Sequence, residues 1–272
     1  MEEKYKVGNT ILYVDKVELG YGEGSDYRVI LKDITIEEKD IIGKGQIIAI
    51  VGRSGRGKST LFKALTGLVK PRAGRILISQ DQNDVKAFEV KEGNVGFVDQ
   101  KYTLFRHKTI YQSLYSALRK REISKKEKAE IIEKYLAEWN LMDHRDKYPC
   151  ELSGGQRQRT AIIEQILCSG HFIVFDEPFS GLDVGNIKSV KNSFNLIHQA
   201  HELNTIIFST HDISLAVELA DSIYTVGFHD EKKEYSTIVN HYDLKQLGLA
   251  WQKFGQSHLE LVEKIEADLL KS

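Results

Sequence analysis

The feature that most constrains this chain is a glycine-rich segment placed directly after an apolar run. Residues 52–60 read Gly-Arg-Ser-Gly-Arg-Gly-Lys-Ser-Thr, which fits the pattern G-x-x-x-x-G-K-[ST]. The preceding run Gln46–Val51 is continuous and apolar, as in a strand buried on both faces. The following segment Ser59–Val69 has leucines at helical spacing and stops before Pro71. Because strand, loop and helix in this order form a phosphate-binding loop, the sequence predicts that such a loop binds a nucleotide here.

The backbone and the side chains of this loop are predicted to make different contacts with the nucleotide and its metal ion. The N–H groups and the positive end of the following helix surround phosphate oxygens, and glycines allow the backbone to approach closely. The Lys58 ammonium reaches the β- and γ-phosphates, and the Ser59 hydroxyl ligates Mg²⁺. The predicted nucleotide-contacting residues are Gly52, Arg53, Ser54, Gly55, Arg56, Gly57, Lys58, Ser59 and Thr60.

Two later segments carry further chemistry. Residues 152–156 read Leu-Ser-Gly-Gly-Gln, with Ser153 at the capping position of a predicted helix. The apolar run Phe172–Phe175 predicts a buried strand that ends in Asp176 and Glu177. Acids at the carboxyl end of such a strand emerge beside the phosphate loop. Asp176 is therefore predicted to contact Mg²⁺, and Glu177 to polarise the attacking water as general base.

In this order, the motifs resemble the ATP-binding cassette family over roughly residues 21–227. The resemblance implies that Gln100 senses Mg²⁺ and the attacking water, and that His211 contacts the γ-phosphate. It also implies that Ser153, Gly154, Gly155 and Gln156 contact ATP bound to a second cassette. The loop that contains Asp183 is implied to link the two ATP sites across the dimer. Asp99, which precedes Gln100, stands where the family more commonly has an apolar or aromatic residue.

The aromatic residue that stacks on adenine has two candidates. Tyr21 is the first choice, although a turn-rich insertion, residues 22–26, places it far upstream of the phosphate loop. Tyr27, just after that insertion, is the alternative. The sequence leaves both open.

Alternating strands and helices predict an α/β fold with a mostly parallel sheet. The resemblance implies a phosphate-loop NTPase cassette at residues 1–228, with an N-terminal antiparallel β subdomain and a helical subdomain inserted at about 102–165. Residues 229–272 are predicted to be an extension ending in an amphipathic helix that packs against the cassette, with a regulatory role as the alternative. Its predicted apolar stripe is Leu259, Val262, Ile265 and Leu269.

Composition excludes some classes of protein. Of 272 residues, 38 are basic and 39 acidic, so no basic excess favours nucleic acid as a partner. No run reaches the roughly 18–20 apolar residues that span a bilayer, and the first residues lack the apolar core of a secretory signal. Two cysteines without metal-ligand spacing predict free thiols in a cytoplasmic protein.

The resemblance implies an ATPase that uses ATP and Mg²⁺ and forms a dimer with an identical or paralogous cassette. It further implies a transmembrane permease as partner, with a substrate-binding protein as a further component, and a peripheral position on the cytoplasmic face of the membrane. Residues 104–110 and 178–180 are similar to segments of bacterial importer cassettes. The alternative is a soluble cassette ATPase acting on nucleic acid or ribosomes. The single signature segment, short helical insert and absence of a cysteine hook count against it.

Overall fold

The computed structural model describes residues 5–79, 88–99, 101–182, 184–229 and 234–271. Its strands are β1 (Val7–Tyr21), β2 (Arg28–Ile41), β3 (Gln46–Val51), β4 (Ala73–Ile78), β5 (Phe88–Glu89), β6 (Gly96–Val98), β7 (Phe172–Phe175), β8 (Thr205–Thr210), β9 (Ser222–Phe228) and β10 (Ser236–Asp243). Its α-helices are α1 (Lys58–Leu65), α2 (Ile110–Ala117), α3 (Lys125–Glu138), α4 (Gly154–Cys168), α5 (Val184–Ala200), α6 (Ile213–Leu219) and α7 (Gln256–Lys271). Short 3-10 helices occupy Gly24–Asp26, Leu118–Lys120, Met142–His144 and Pro149–Glu151.

The strands form one sheet in the order β5-β4-β1-β2-β10-β9-β3-β8-β7-β6. Its centre is parallel, because β3 pairs with β8 and β9, and β7 pairs with β8 and β6. The N-terminal part is antiparallel, with β1 between β2 and β4. The predicted α/β class, with its parallel core and antiparallel N-terminal strands, is therefore confirmed.

The side chains of β3 alternate between two hydrophobic cores. Ile48 and Ile50 pack in a core shared with the N-terminal strands and helix α1. Ile47, Ala49 and Val51 pack in a second core with the helices on the other face of the sheet. Because both faces of β3 are covered, its carboxyl end is fixed where the phosphate loop begins.

Helices α2, α3 and most of α4 fall within residues 102–165, the range of the predicted helical insert. Each of these helices begins with a capping box, in which a hydroxyl at the N-cap and a side chain three residues later satisfy each other's backbone N–H groups. The N-caps are Thr109, Ser124 and Ser153. The predicted caps at Ser124 and Ser153 are thus confirmed. In the described part of the chain, no helix is both long enough and apolar enough to cross a bilayer.

Several predicted bounds differ from the structure. Helix α1 ends at Leu65, four residues short of the predicted Val69, because Gly67 adopts a left-handed φ of 74°. A Cβ at Gly67 would lie 2.5 Å from the carbonyl carbon of Lys91, so this turn also permits a close backbone approach. Strands β9 and β10 were not predicted from the sequence. Buried polar residues such as Ser222 and Thr225 interrupt the apolar pattern of β9.

Helix α7 packs against the cassette, as its apolar pattern indicated, but one predicted contact is wrong. Val262 and Ile265 are buried and Leu269 packs against the same core, whereas Leu259 is 45% exposed. A helix turns by about 100° per residue, which places Leu259 roughly 110° from the centre of the buried face. Leu261 is buried there in its place.

Candidate functional site

A cleft of about 790 Å³ opens at the carboxyl edge of β3, between the start of α1 and the ends of β1, β7 and β8. Most of the predicted nucleotide-contacting residues line it. The lining residues are Tyr21, Ile30, Arg53, Ser54, Gly55, Gly57, Lys58, Ser59, Thr60, Glu177, Ser180 and His211. Ile30 and Ser180 line the cleft although neither was predicted to do so.

The phosphate loop has a backbone that only glycine adopts comfortably. Gly55 and Gly57 have φ values of 79° and 86°, in the left-handed region. A Cβ at Gly57 would lie 2.9 Å from Cγ of Leu31. Gly57 is also the N-cap of α1, and no side chain caps that helix. The first amides of α1 are consequently available to an anion in the cleft.

Lys58 is 6% exposed and holds the loop together. Its Nζ donates to the carbonyl oxygens of Gly52 at 2.7 Å and Arg53 at 3.2 Å. The same ammonium lies 3.2 Å from Oε1 of Glu177. An ammonium has three donors, so all of its donor capacity is directed at the chain's own oxygens. The loop is therefore preformed around a positive charge that Glu177 neutralises.

Glu177 is held between two cationic or potentially cationic groups. Its Oε1 faces Lys58, and its Oε2 lies 2.9 Å from Nδ1 of His211. The His211 ring is 63% exposed, so this contact does not bury the imidazole. The structure thus brings the two predicted catalytic residues into direct contact beside the loop.

The backbone of Glu177 is strained, with φ at 50°. Such a conformation costs a non-glycine residue about 1–2 kcal/mol and persists where surrounding contacts enforce it. Here the Glu177 N–H donates to Oγ of Ser209 at 2.9 Å, and the Ser180 N–H donates to the Glu177 carbonyl at 3.1 Å. These contacts hold the backbone from which the Glu177 carboxylate extends.

Ser209 contacts both acids, and sequence reasoning missed it. Its hydroxyl donates to Oδ1 of Asp176 at 2.8 Å while accepting from the Glu177 N–H, so it orients both acids. Ser209 is fully buried at the end of β8, next to β7. The sequence signal that could have identified it is a serine that directly follows the apolar run of β8.

The two tyrosine candidates have different surroundings. Tyr21 is 51% exposed, lines the cleft, and its hydroxyl lies 2.9 Å from Oγ1 of Thr60. Tyr27 does not line the cleft, and its ring is covered by the Arg72 guanidinium at 4.1 Å. Arg56 also turns away from the cleft and stacks on Phe228 at 3.6 Å. Its pKa is lowered by burial and by the neighbouring Arg53.

The segment Leu-Ser-Gly-Gly-Gln at residues 152–156, called the signature segment, lies outside this cleft. Ser153 accepts from the Gln156 N–H at 3.3 Å, and Gln156 Oε1 accepts from the Ser153 N–H at 2.8 Å. The Gln156 side chain also reaches Nε2 of His144 at 2.6 Å. Ser153 and Gly154 are exposed. No lining residue of the cleft comes from residues 153–156, so the chain does not bring these predicted site residues together with the phosphate loop.

Two predicted site residues, Gln100 and Asp183, lie outside the described residues. Within the described ranges, no three His, Cys, Asp or Glu residues form a group that could hold a metal ion.

Comparison with known proteins gives a consistent assignment. The family model described as ABC transporter matches residues 40–180. The sulfate/thiosulfate import ATP-binding protein CysA of Synechocystis is 38% identical over 198 residues, covering 72% of this chain and 54% of that protein. CysA of Pectobacterium atrosepticum is 37% identical over 206 residues, with coverages of 74% and 62%. The chain thus spans between about half and two thirds of the length of these relatives.

Solved structures show the same fold. The chain cbiO1 from Clostridium perfringens, part of the ABC transporter complex cbiONQ, superposes with a TM-score of 0.71 at 24% identity, over 97% of both chains. An ATP-binding cassette in a dimeric post-hydrolysis state, bound to ADP and Pi, superposes with a TM-score of 0.65 at 23% identity. That superposition covers 86% of this chain and 99% of the other. At these identities the likeness concerns the fold alone.

Proposed function

The chain belongs to the ABC transporter family, and from that premise we propose that it binds ATP in the cleft and hydrolyses it to power transport through a separate permease. The observation that carries this proposal is the uncapped start of α1, which faces the same cleft as Lys58 and Glu177. Open amides and a buried ammonium favour a polyphosphate, and the adjacent carboxylate provides a base for water.

We propose the following roles in the cleft. The amides of residues 53–60 hold the phosphates, and the Lys58 ammonium joins them by exchanging one of its protein oxygens for a phosphate oxygen, while Tyr21 stacks on adenine. Glu177 accepts the proton of the attacking water, since its carboxylate is positioned by backbone strain and by Ser209. His211, which is already in contact with Glu177, lies where it can meet the γ-phosphate.

The residues present fit a magnesium ion. Asp176 has Oδ1 held by Ser209, which leaves its second oxygen for a water of the ion, and the exposed Ser59 hydroxyl lies in the cleft. Mg²⁺ binds few protein ligands directly and prefers substrate phosphates. We propose Ser59, Asp176 and Gln100 as the residues that hold it. When bound, the ion neutralises charge on the phosphates.

A second cassette is needed to complete this site. Ser153 through Gln156 lie outside the cleft of their own chain, and we propose that they close over ATP held by a partner, identical or paralogous, with Asp183 linking the two sites. The start of α4 would then add its amides and its positive end to the γ-phosphate.

A mixing experiment tests the composite site. Lys58→Ala disables the loop of its own chain, and Ser153→Glu places a repelling carboxylate at the start of α4. If sites are shared, a heterodimer of these two variants keeps one intact site. Equal mixing should restore about a quarter of wild-type ATPase activity. The matched control mixes Lys58→Ala with Glu177→Gln, which act on the same half-site, so no heterodimer has an intact site.

Three results separate the parts of the proposal. If ATPase activity is restored only in the mixture of Lys58→Ala with Ser153→Glu, the result supports a site shared between two chains. Equal behaviour of both mixtures contradicts it while leaving hydrolysis intact. An inactive wild-type chain, with no ATP binding by calorimetry, contradicts the proposed ATPase itself.

The names of the relatives contain the word import and support an importer. We further propose that a substrate-binding protein delivers the solute and that the cassette is peripheral on the cytoplasmic face of the membrane, as the family resemblance implies. The transported molecule contacts the permease rather than the cassette, so no substrate is proposed. Co-expression with the permease encoded next to this chain should give a copurifying complex with stimulated ATPase activity. Absence of both would contradict the transport role.

A further inference from the structure

The Tyr102 hydroxyl connects helix α4 to the residue that follows Glu177. The Tyr102 hydroxyl accepts from Nε2 of Gln158 on α4 at 2.9 Å and donates to the carbonyl oxygen of Pro178 at 3.2 Å. Gln158 is 3% exposed, and Pro178 follows Glu177 directly. Within the described residues this is a direct polar link between α4, which begins with Ser153, and the peptide next to the proposed general base.

The phenol is suited to this bridge. Burial raises the pKa of Tyr102 to about 12, so the hydroxyl keeps its proton at neutral pH and remains a donor. A phenolic oxygen donates one hydrogen bond and accepts others, which matches the two partners. Replacement by phenylalanine would leave the Gln158 amide and the Pro178 carbonyl without this partner.

Contacts with Asp99 hold the backbone of Tyr102 and Thr103. Tyr102 has a φ of 49°, which is uncommon for an aromatic residue. Its N–H donates to the Asp99 carbonyl at 3.2 Å, and the Asp99 carboxylate accepts from Thr103 N–H at 3.1 Å and Thr103 Oγ1 at 2.8 Å. Asp99, which departs from the usual family residue, thus holds the turn that directs Tyr102 toward Pro178.

Resting on the proposed ATPase function, we propose that Tyr102 is a positioning residue that couples the placement of α4 to the orientation of Glu177. When α4 moves with the helical insert, Gln158 moves the Tyr102 hydroxyl, and the hydroxyl moves the Pro178 carbonyl. The left-handed backbone of Glu177 lies one residue away, so a change at Pro178 alters the direction of the carboxylate. Binding of ATP depends on the phosphate loop instead and is not affected.

The test uses Tyr102→Phe in the full chain, with Tyr135→Phe as matched control. Tyr135 lies on α3 of the same insert and packs against the same core, but its hydroxyl has no hydrogen bond in the described structure. We expect Tyr102→Phe to lower kcat about 3- to 10-fold, the effect of one lost hydrogen bond, with KM for ATP and ATP affinity within about 2-fold. Hydrogen exchange of the peptide covering 178–182 should become faster. Tyr135→Phe should change neither.

A second variant protects the test against a folding defect. Gln158→Met removes only the donor from α4, and the double variant with Tyr102→Phe should lose no more activity than Tyr102→Phe alone. Independent losses in the double variant would overturn the bridge, as would unchanged kcat and exchange in folded Tyr102→Phe. An inactive wild-type chain would instead contradict the ATPase function and is recognised by measuring the wild type first.

Discussion

The N-termini of α1 and α4 are built in opposite ways, although glycines and hydroxyl residues mark both in the sequence. Helix α1 starts at Gly57 with no side-chain cap, and its first turn faces a cleft that contains Lys58 and Glu177. Helix α4 starts at Ser153 with a complete capping box and faces no part of that cleft. The first is open to an anion within its own chain, whereas the second pairs the Ser153 and Gln156 N–H groups within its own capping box.

The difference shows that a helix N-terminus is not a site by itself. A capping box supplies two of the acceptors that an anion would otherwise provide, so the start of α4 is partly paired without any ligand. At α1 the acceptors are missing and the amides depend on a ligand. Substitutions at the two ends should therefore affect different properties.

The largest expected effect lies at the open end. Glu177→Gln keeps the side-chain size but removes the base, so kcat should fall by about 10²- to 10⁴-fold while ATP still binds. An ATP-stabilised dimer should then be visible by size-exclusion chromatography with light scattering. Glu218→Gln is the control, since Glu218 pairs with Lys191 on the surface. Full turnover in Glu177→Gln would show that the base is another group.

Alanine in place of glycine should distinguish the two helix starts. Gly57→Ala forces a Cβ into a left-handed position against Leu31, and we expect ATP affinity to fall about 10- to 100-fold with a loss of stability. Gly154→Ala meets nothing within 4 Å, so the free energy of unfolding should stay equal or rise by about 0.5–1 kcal/mol.

Calorimetry and urea unfolding measure both changes. If Gly154→Ala lowered the ATP affinity of the lone chain as strongly as Gly57→Ala, the two ends would not differ as described. A fall in ATPase activity without a fall in affinity is the expected result for a residue that meets ATP on a second chain.

Two serine caps provide a matched pair with a smaller effect. Ser153→Ala and Ser124→Ala each remove the hydroxyl of a capping box, which should cost about 1 kcal/mol of unfolding free energy in both variants. Only Ser153→Ala should also lower kcat, because only that helix start is proposed to meet a phosphate. Equal ATPase activities in the two variants would show that the Ser153 capping box only stabilises its helix and has no role in hydrolysis.

A last prediction concerns pH and the interior of α4, away from both helix starts. Burial raises the pKa of Glu164 to about 7, above the value of about 4.3 in an unfolded chain, so the folded state binds this proton more tightly. Stability from this group is full below about pH 4 and is lost as the pH rises toward 7, by on the order of 1–3 kcal/mol.

Urea unfolding of Glu164→Gln at pH 5 and pH 8 isolates that contribution. The variant should lose less stability than the wild type between the two values. Glu130→Gln, at an exposed position of α3, serves as control and should follow the wild type. An unchanged pH dependence in Glu164→Gln would show that Glu164 keeps an ordinary pKa.

Much of the local structure followed from the sequence. The bounds of β3 and β7 and the caps of α3 and α4 were predicted correctly, because apolar runs and capping boxes act over a few neighbouring residues. The early end of α1 was not, since it depends on the backbone at Lys91. Ser209 and Tyr102 were also missed, because their roles come from partners distant in sequence.

The sequence by itself determined the phosphate loop and the pair of acids after β7, since the glycines and the strand pattern specify backbone geometry within one segment. Only the tertiary structure decided that Lys58, Glu177 and His211 meet in one cleft and that Ser153 lies outside it. The physical reason is the parallel pairing of β3, β8 and β7, which aligns three distant carboxyl ends at one edge of the sheet, while α4 starts in the helical insert away from that edge.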